Sequence, residues 1–203
     1  MSARNTSQLH QIRIIGGRWR GRRITVSAAA GLRPTPDRVR ETLFNWLAPH
    51  IRGARCLDLF AGTGALGIEA LSRGAAEVCL VDVAHAATAH LQRTLATLDA
   101  RAQVVNGDAL ALLSGGALGG NWDIVFVDPP YKLDCQLGVL EHLTALGVIA
   151  AGARVYVESA SALDADAVAP AWELLHAKSA GQVRYHLLAR KPPANLFTSR
   201  TGA

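Results

Sequence analysis

From Arg55 onward, short apolar runs alternate with helical patterns, and no other feature narrows the fold as far. β-prone runs fall near 55–60, 77–82, 102–106, 123–128 and 153–158. Helical patterns fall between them, near 65–73, 84–98, 109–113 and 136–146. Strands joined by helical crossovers pair in parallel, with helices on both faces of a doubly wound α/β sheet. The chain's end departs from this rule. Trp172–Ala177 and Gln182–Leu188 are two β-like runs around Ser179-Ala180-Gly181, with no room for a helix between them. They predict an antiparallel hairpin that closes one edge of the sheet. Half of the residues are hydrophobic and 18% are charged, which supports a full core and excludes a disordered chain.

The first quarter is different in kind. Residues 1–55 hold eleven Arg and Lys against two acids, an excess of +9, while the remainder carries −4. A segregated cationic segment is a footprint for a polyanion. Ile12–Ile15 and Arg22–Val26 flank Gly16, Gly17 and Gly21, which predicts a β-hairpin. Arg18, Arg20 and Arg22 decorate it, with Trp19 near its tip. Arginines interleaved with an aromatic suit RNA, since Trp19 can stack on an unpaired base. Trp19 can equally pack the hairpin onto the domain. After Arg33-Pro34, Thr35 is the expected N-cap of a helix with Pro36 at its first position. That helix would run to about Leu47, with Val39, Leu43, Trp46 and Leu47 on its apolar side. The expected organisation is a basic hairpin extension over 1–32, an α/β domain over 33–190 and a loose tail over 191–203.

Other function classes recede. Cys56, Cys79 and Cys135 lack disulfide or metal spacing, and the seven histidines form no ligand pair, so no metal is expected. No apolar run is long enough to cross a membrane, and Met1–His10 is polar, so a cytoplasmic protein is expected. A monomer is the default.

Leu57-Asp58-Leu59-Phe60-Ala61-Gly62-Thr63-Gly64-Ala65-Leu66-Gly67 ends a strand and opens a helix. Its glycines match the G-x-G-x-x-G pattern of nucleotide-binding turns. Charge decides the ligand. A dinucleotide places a pyrophosphate at such a turn, where the Asp58 carboxylate would repel it. S-adenosylmethionine has no phosphate and carries an ammonium and a sulfonium. A close pair with Asp58 gains about 4 kcal/mol at most at an effective dielectric of 20. Asp82 ends the second strand and is placed to accept the ribose hydroxyls. Asp108 follows the third strand and suits the adenine amino group, with Ala109 or Leu110 against the ring. Either acid can also cap the helix after it. The expected cofactor-binding set is Asp58, Phe60, Ala61, Gly62, Thr63, Gly64, Asp82, Val83, Asp108 and Ala109.

Ile124–Val127 runs into Asp128-Pro129-Pro130-Tyr131, the candidate catalytic turn. Two prolines fix φ and remove two backbone donors. What points outward is the Asp128 carboxylate, nearby carbonyls and the Tyr131 ring. Such a set of acceptors grips an exocyclic amino group by its N–H bonds, while Tyr131 stacks on the base. Methyl transfer in line then needs mostly positioning.

Asp58–Gly67, Asp128–Tyr131 and Arg33–Leu47 together resemble the RsmD family of bacterial 16S ribosomal RNA guanine-N2 methyltransferases. The likeness runs from Arg13-Ile14-Ile15-Gly16-Gly17 to Gly181-Gln182-Val183. It is closest in Arg38–Leu47 and in Val155-Tyr156-Val157-Glu158-Ser159. It implies a Rossmann-like class I methyltransferase fold, seven-stranded and mostly parallel, with an antiparallel last strand. It implies methylation of a guanine N2 in the small ribosomal subunit or its assembly intermediate (G966 by the family). It places Arg33, Thr35 and Arg38 along the site, with Arg38 on the cofactor carboxylate or on substrate phosphate. The chain departs from the family where Tyr131 replaces a frequent Phe and where Val81-Asp82-Val83 lacks a common Glu. Two rivals are an adenine-N6 methyltransferase of DNA or RNA and a protein-glutamine methylase. From other classes, an NAD(P) oxidoreductase leaves Asp58 unexplained, and a non-catalytic RNA-binding assembly factor needs no intact cofactor edge.

Overall fold

The computed structural model describes residues 10–26, 35–130 and 132–192. Tyr131, Arg33 and most of the expected tail lie outside the described residues. Among those described, nine strands and six α-helices follow one another. The hairpin strands are β1 (His10–Arg13) and β2 (Arg23–Val26), and α1 spans Asp37–Trp46. Then come β3 (Arg55–Asp58), α2 (Ala65–Ser72), β4 (Glu77–Asp82), α3 (His85–Leu98), β5 (Gln103–Asn106) and α4 (Ala109–Ser114). The rest are β6 (Trp122–Val127), α5 (Gln136–Ala145), β7 (Ile149–Ser159), α6 (Ala165–Val168), β8 (Trp172–Ala180) and β9 (Val183–Arg190).

Seven strands form one sheet in the order β5-β4-β3-β6-β7-β9-β8. β9 runs antiparallel to both β7 and β8, while β3 to β7 pair in parallel. The expected terminal hairpin is therefore present, with β9 inserted beside β7 and β8 left at the edge. Period-2 alternation sends neighbouring side chains to opposite faces. Val78, Leu80, Ile124, Phe126 and Tyr156 meet α1, α2 and α3 on one face. Leu57, Cys79, Val81, Val125, Val127, Val155 and Val157 meet α4 and α5 on the other. Both faces are covered, which is why these strands read as continuous apolar runs. The short α6 has no periodic signal; Asp164 starts it by accepting from the amides of Asp166 and Ala167.

The basic hairpin has its own two-stranded sheet but shares the domain's core. Ile12, Ile14, Trp19 and Ile24 are buried in the same cluster as α1, α2 and α3. Glu69 of α2 is the clamp. Its carboxylate accepts the amides of Ile15 and Gly16, each at 2.8 Å, and Arg73 Nε at 2.7 Å. Arg40, 1% exposed, donates to the Arg13 carbonyl at 2.9 Å and to Asp37 at 2.6 Å, and lies 3.8 Å from Glu69. At the tip, Ser72 Oγ donates to the Gly16 carbonyl and accepts from the Trp19 amide. Gly17 sits at φ +75°, and a Cβ there would overlap the Ser72 carbonyl oxygen. Only glycine lets the chain turn this close to the end of α2.

Candidate active site

A parallel sheet presents its strand C-termini on one edge, where ligands bind. Here that edge is acidic. Asp58 ends β3, Asp82 ends β4, Asp128 follows β6, and Glu158 lies one residue before the end of β7.

Asp58 is 1% exposed. Its Oδ2 accepts the Gly67 amide at 3.1 Å, which ties the strand to the helix beyond the glycine loop. A Cβ at Gly67 would overlap Leu80 Cδ2, so α2 packs on the sheet only because this residue is glycine. Asp58 Oδ1 is buried with no hydrogen-bond partner among the described residues. Burial pushes the carboxyl up to about 7; the Gly67 amide opposes this, and Asp128 and Asp82 add to it. A buried carboxyl with one oxygen unpartnered among the described residues, raised in pKa and so eager for a positive neighbour, suits a cationic ligand, and the residues present fit the sulfonium cofactor. Asp58 was expected beside the ligand's cations. The structure places it under the loop, with Oδ2 tied to the Gly67 amide and Oδ1 left open among the described residues.

Asp82 accepts the Gly62 amide on Oδ2 and the Ala84 amide on Oδ1, both at 2.8 Å. Each oxygen keeps a second lone pair for a ribose hydroxyl. Asn106 fastens the same turn by donating to the Asp82 and Val83 carbonyls. Val83, 72% exposed, offers an apolar surface beside them. Asp108 caps α4 by accepting the Ala111 amide at 2.9 Å, so the capping role is real and uses one oxygen. The Ala109 methyl is buried in the core, so the half-buried Leu110 is the side chain able to face a ring. Phe60 packs on the core, Ala61 is buried, and Thr63 is half-buried within the loop.

The catalytic turn differs from expectation in its support. Thr35 does not cap α1; Pro36 is the N-cap and no side chain satisfies that end. The Thr35 hydroxyl instead donates to Asp128 Oδ2 at 3.1 Å, across 93 residues of chain. Thr35 is itself buried, which seats the start of α1 on the catalytic turn. Burial pushes the Asp128 carboxyl up to about 6, and the Thr35 bond opposes that. Pro129 is buried and Pro130 exposed.

Glu158 also stands at this edge, although no motif in the sequence gives it a role. It is 3% exposed and accepts the Tyr156 hydroxyl at 2.7 Å. A signal for it exists. Asp58, Asp82, Asp128 and Glu158 each follow an apolar strand residue (Leu57, Val81, Val127, Val157) at the same edge.

Of the expected RNA contacts, Arg18, Arg20, Arg22 and Arg38 are exposed. Trp19 is 6% exposed and packs in the core, with the Arg18 guanidinium 5.5 Å from its ring centre. Packing, the alternative to base stacking, accounts for its position. The tip also lies at the far end of α2 from the glycine loop, bound to Ser72.

A doubly wound sheet of this order, with its acidic C-terminal edge and glycine loop, defines an S-adenosylmethionine-dependent methyltransferase. The chain belongs to the RsmD family, since the model of the family described as Conserved hypothetical protein 95 matches residues 12–189. It is similar to the ribosomal RNA small subunit methyltransferase D of Escherichia coli strain K12, 48% identical over 94% of this chain and 96% of that one. The protein of the same name from Haemophilus influenzae is 40% identical over 87% of this chain and 93% of that one. A solved structure described as the putative methyltransferase yhhF from Escherichia coli superposes with TM-score 0.79 at 49% identity. It covers 90% of this chain and 99% of that one.

Proposed function

We propose that the protein methylates the exocyclic N2 of a guanine in the 16S RNA of the small ribosomal subunit, G966 in the family's terms. The observation that carries this reading is the Asp128 carboxylate, held at the cofactor edge by Thr35 and followed by two prolines without backbone donors. The relatives' small-subunit substrate and the exposed arginines of the hairpin support RNA as the partner. The methyl donor supplies an electrophilic carbon on a sulfonium. Asp58, Asp82, Val83 and the Gly62–Gly67 loop are the residues that would hold it, with Asp108 beside the adenine.

The flipped-out base enters at the strand edge. Thr35 occupies Asp128 Oδ2, which leaves Oδ1 for an amino N–H. That bond turns the amine and localises its lone pair. Tyr131 is assigned the stacking role. As the nitrogen gains its methyl group it becomes cationic, and the Asp128 carboxylate stabilises the charge. The surplus proton passes from nitrogen to Asp128 and then to water. Arg18, Arg20, Arg22, Arg33 and Arg38 are assigned to RNA phosphates. The protein would act in the cytoplasm, as a monomer, on a small subunit or its precursor.

The test uses labelled S-adenosylmethionine and small subunits from cells lacking the enzyme. The wild type is expected to label a guanine N2. Asp128→Ala is expected to lose transfer while cofactor affinity stays near normal. Label on an adenine, or wild-type rates from the variant, would overturn the assignment.

A further inference from the structure

Asp128 has a partner that the proposed chemistry does not yet use. Val127 pairs with Val157 across parallel strands, so the next residues, Asp128 and Glu158, stand side by side. They also share a face. Phe126 and Tyr156, each two residues earlier, both point into the core under α1. Neighbouring strands lie about 4.8 Å apart. Two carboxyl groups so placed, one of them 3% exposed, do not both ionise at neutral pH.

We propose that Glu158 is a positioning residue that holds the single proton shared by the Asp128–Glu158 pair, so that Asp128 alone is the anion presented to the substrate amine. The asymmetry is built into the surroundings. Glu158 is buried, which disfavours its charge; the Tyr156 hydroxyl donates to it and partly opposes that, while Gln136 of α5 donates only to the Glu158 backbone carbonyl at 3.1 Å. Tyr185 stands opposite it on β9, with Arg184 one position on and Lys178 of β8 paired to Tyr185. From the segment before α1 it is approached by Thr35, and from the turn after β6 by Asp128. Beyond Asp128, Asp58 adds a third acid on the same side, in register with Phe126. Asp128 sits nearer solvent than Glu158 and receives the Thr35 hydroxyl. The proton therefore resides on Glu158. Burial and the Asp128 charge push the Glu158 carboxyl up to about 8, above the value of about 6 for Asp128.

The consequence is a window. Below about 6 both groups are protonated and Asp128 ceases to be a charged acceptor. Above about 8 Glu158 ionises as well, and repulsion drives Asp128 off Thr35. Single-turnover rates should rise and then fall with pH.

Glu158→Gln separates this role from a structural one. Gln keeps an acceptor for Tyr156 and mimics the protonated acid. The variant's pH profile should retain the rising limb but lose the falling limb. A falling limb unchanged from wild type overturns the proposal. So does a folded, cofactor-binding variant that is inactive at every pH. Carbon-13 NMR of labelled glutamate gives a readout independent of substrate: Glu158 should titrate near 8 in wild type and fall by a unit or more in Asp128→Asn. An ordinary carboxylate titration in wild type would overturn it. The proposal rests on the methyl-transfer reading for its kinetic arm, but the NMR titration stands or falls without it.

Discussion

Glu69→Gln is the sharpest test of how the basic hairpin is held. The change keeps volume and removes one charge. In the wild type the buried carboxylate serves the Ile15 and Gly16 amides and Arg73 Nε, and faces the buried Arg40. A glutamine has one acceptor oxygen and turns a donor toward groups that are all donors. At least one amide or guanidinium is then left unpaired in the core. Breaking a buried pair of this kind costs about 3–5 kcal/mol. Arg40 keeps its 2.6 Å bond to Asp37, which favours the lower end, about 3 kcal/mol. With a urea slope of about 2 kcal/mol/M the unfolding midpoint should drop by about 1.5 M. Limited proteolysis should cut within 13–26 faster than elsewhere. The exposed pair Arg55–Glu77 is the control, since its side chains are 35% and 45% exposed. Glu77→Gln should cost at most about 1 kcal/mol. A midpoint shift for Glu69→Gln no larger than that of the control would refute the clamp.

Charge reversal at Arg18, Arg20 and Arg22 should weaken binding to small-subunit RNA and flatten its salt dependence by about one unit of slope per lost phosphate contact. An unchanged slope removes the hairpin from the interface. Binding of S-adenosylmethionine should expel a proton from Asp58, whose carboxyl is held up to about 7 by burial. Affinity should then rise with pH through that value, and calorimetry in buffers of different ionisation heat should detect the proton. A pH-independent affinity with no proton release contradicts the assignment.

The parallel sheet was legible because its central strands are buried on both faces and a glycine or an acid stands at or close to the end of each parallel strand. The order of elements, the terminal hairpin and the cofactor loop followed from that pattern. Boundaries moved where local chemistry intervened. β3 stops at Asp58 because the chain turns into the loop, and β7 begins at Ile149, where its pairing with β6 shifts register. Thr35 shows a deeper limit. Its position before Pro36 satisfies every local rule for an N-cap, yet its hydroxyl goes to Asp128. No local rule contains a partner 93 residues away. Glu158 was hidden for a similar reason. An acid at a strand end is common, and only register across β6 and β7 reveals that it faces another carboxyl. Trp19 was ambiguous by composition alone, since a surface base-stacker and a packed anchor have the same sequence neighbours.

The hairpin's placement bears on what the enzyme can recognise. At the tip end of β1, Arg13 is 3.7 Å from Asp37 at the start of α1, two residues past Thr35. The tip itself is fixed to Ser72, at the far end of α2 from the glycine loop. An eight-residue helix is about 12 Å long, so the arginines at the tip stand on the flank of the domain, about that far from the glycine loop. On the proposed function a single base would fill the edge while a separate stretch of phosphates lies along the flank. An RNA that presents both at once is folded or longer than the nucleotides around the target. The acidic edge meanwhile repels any backbone that is not held elsewhere, since Asp82, Asp108 and Asp128 all lie at that end. Attraction at the flank and repulsion at the edge therefore work together. They favour a target base extruded from structured RNA over the same base on a free strand.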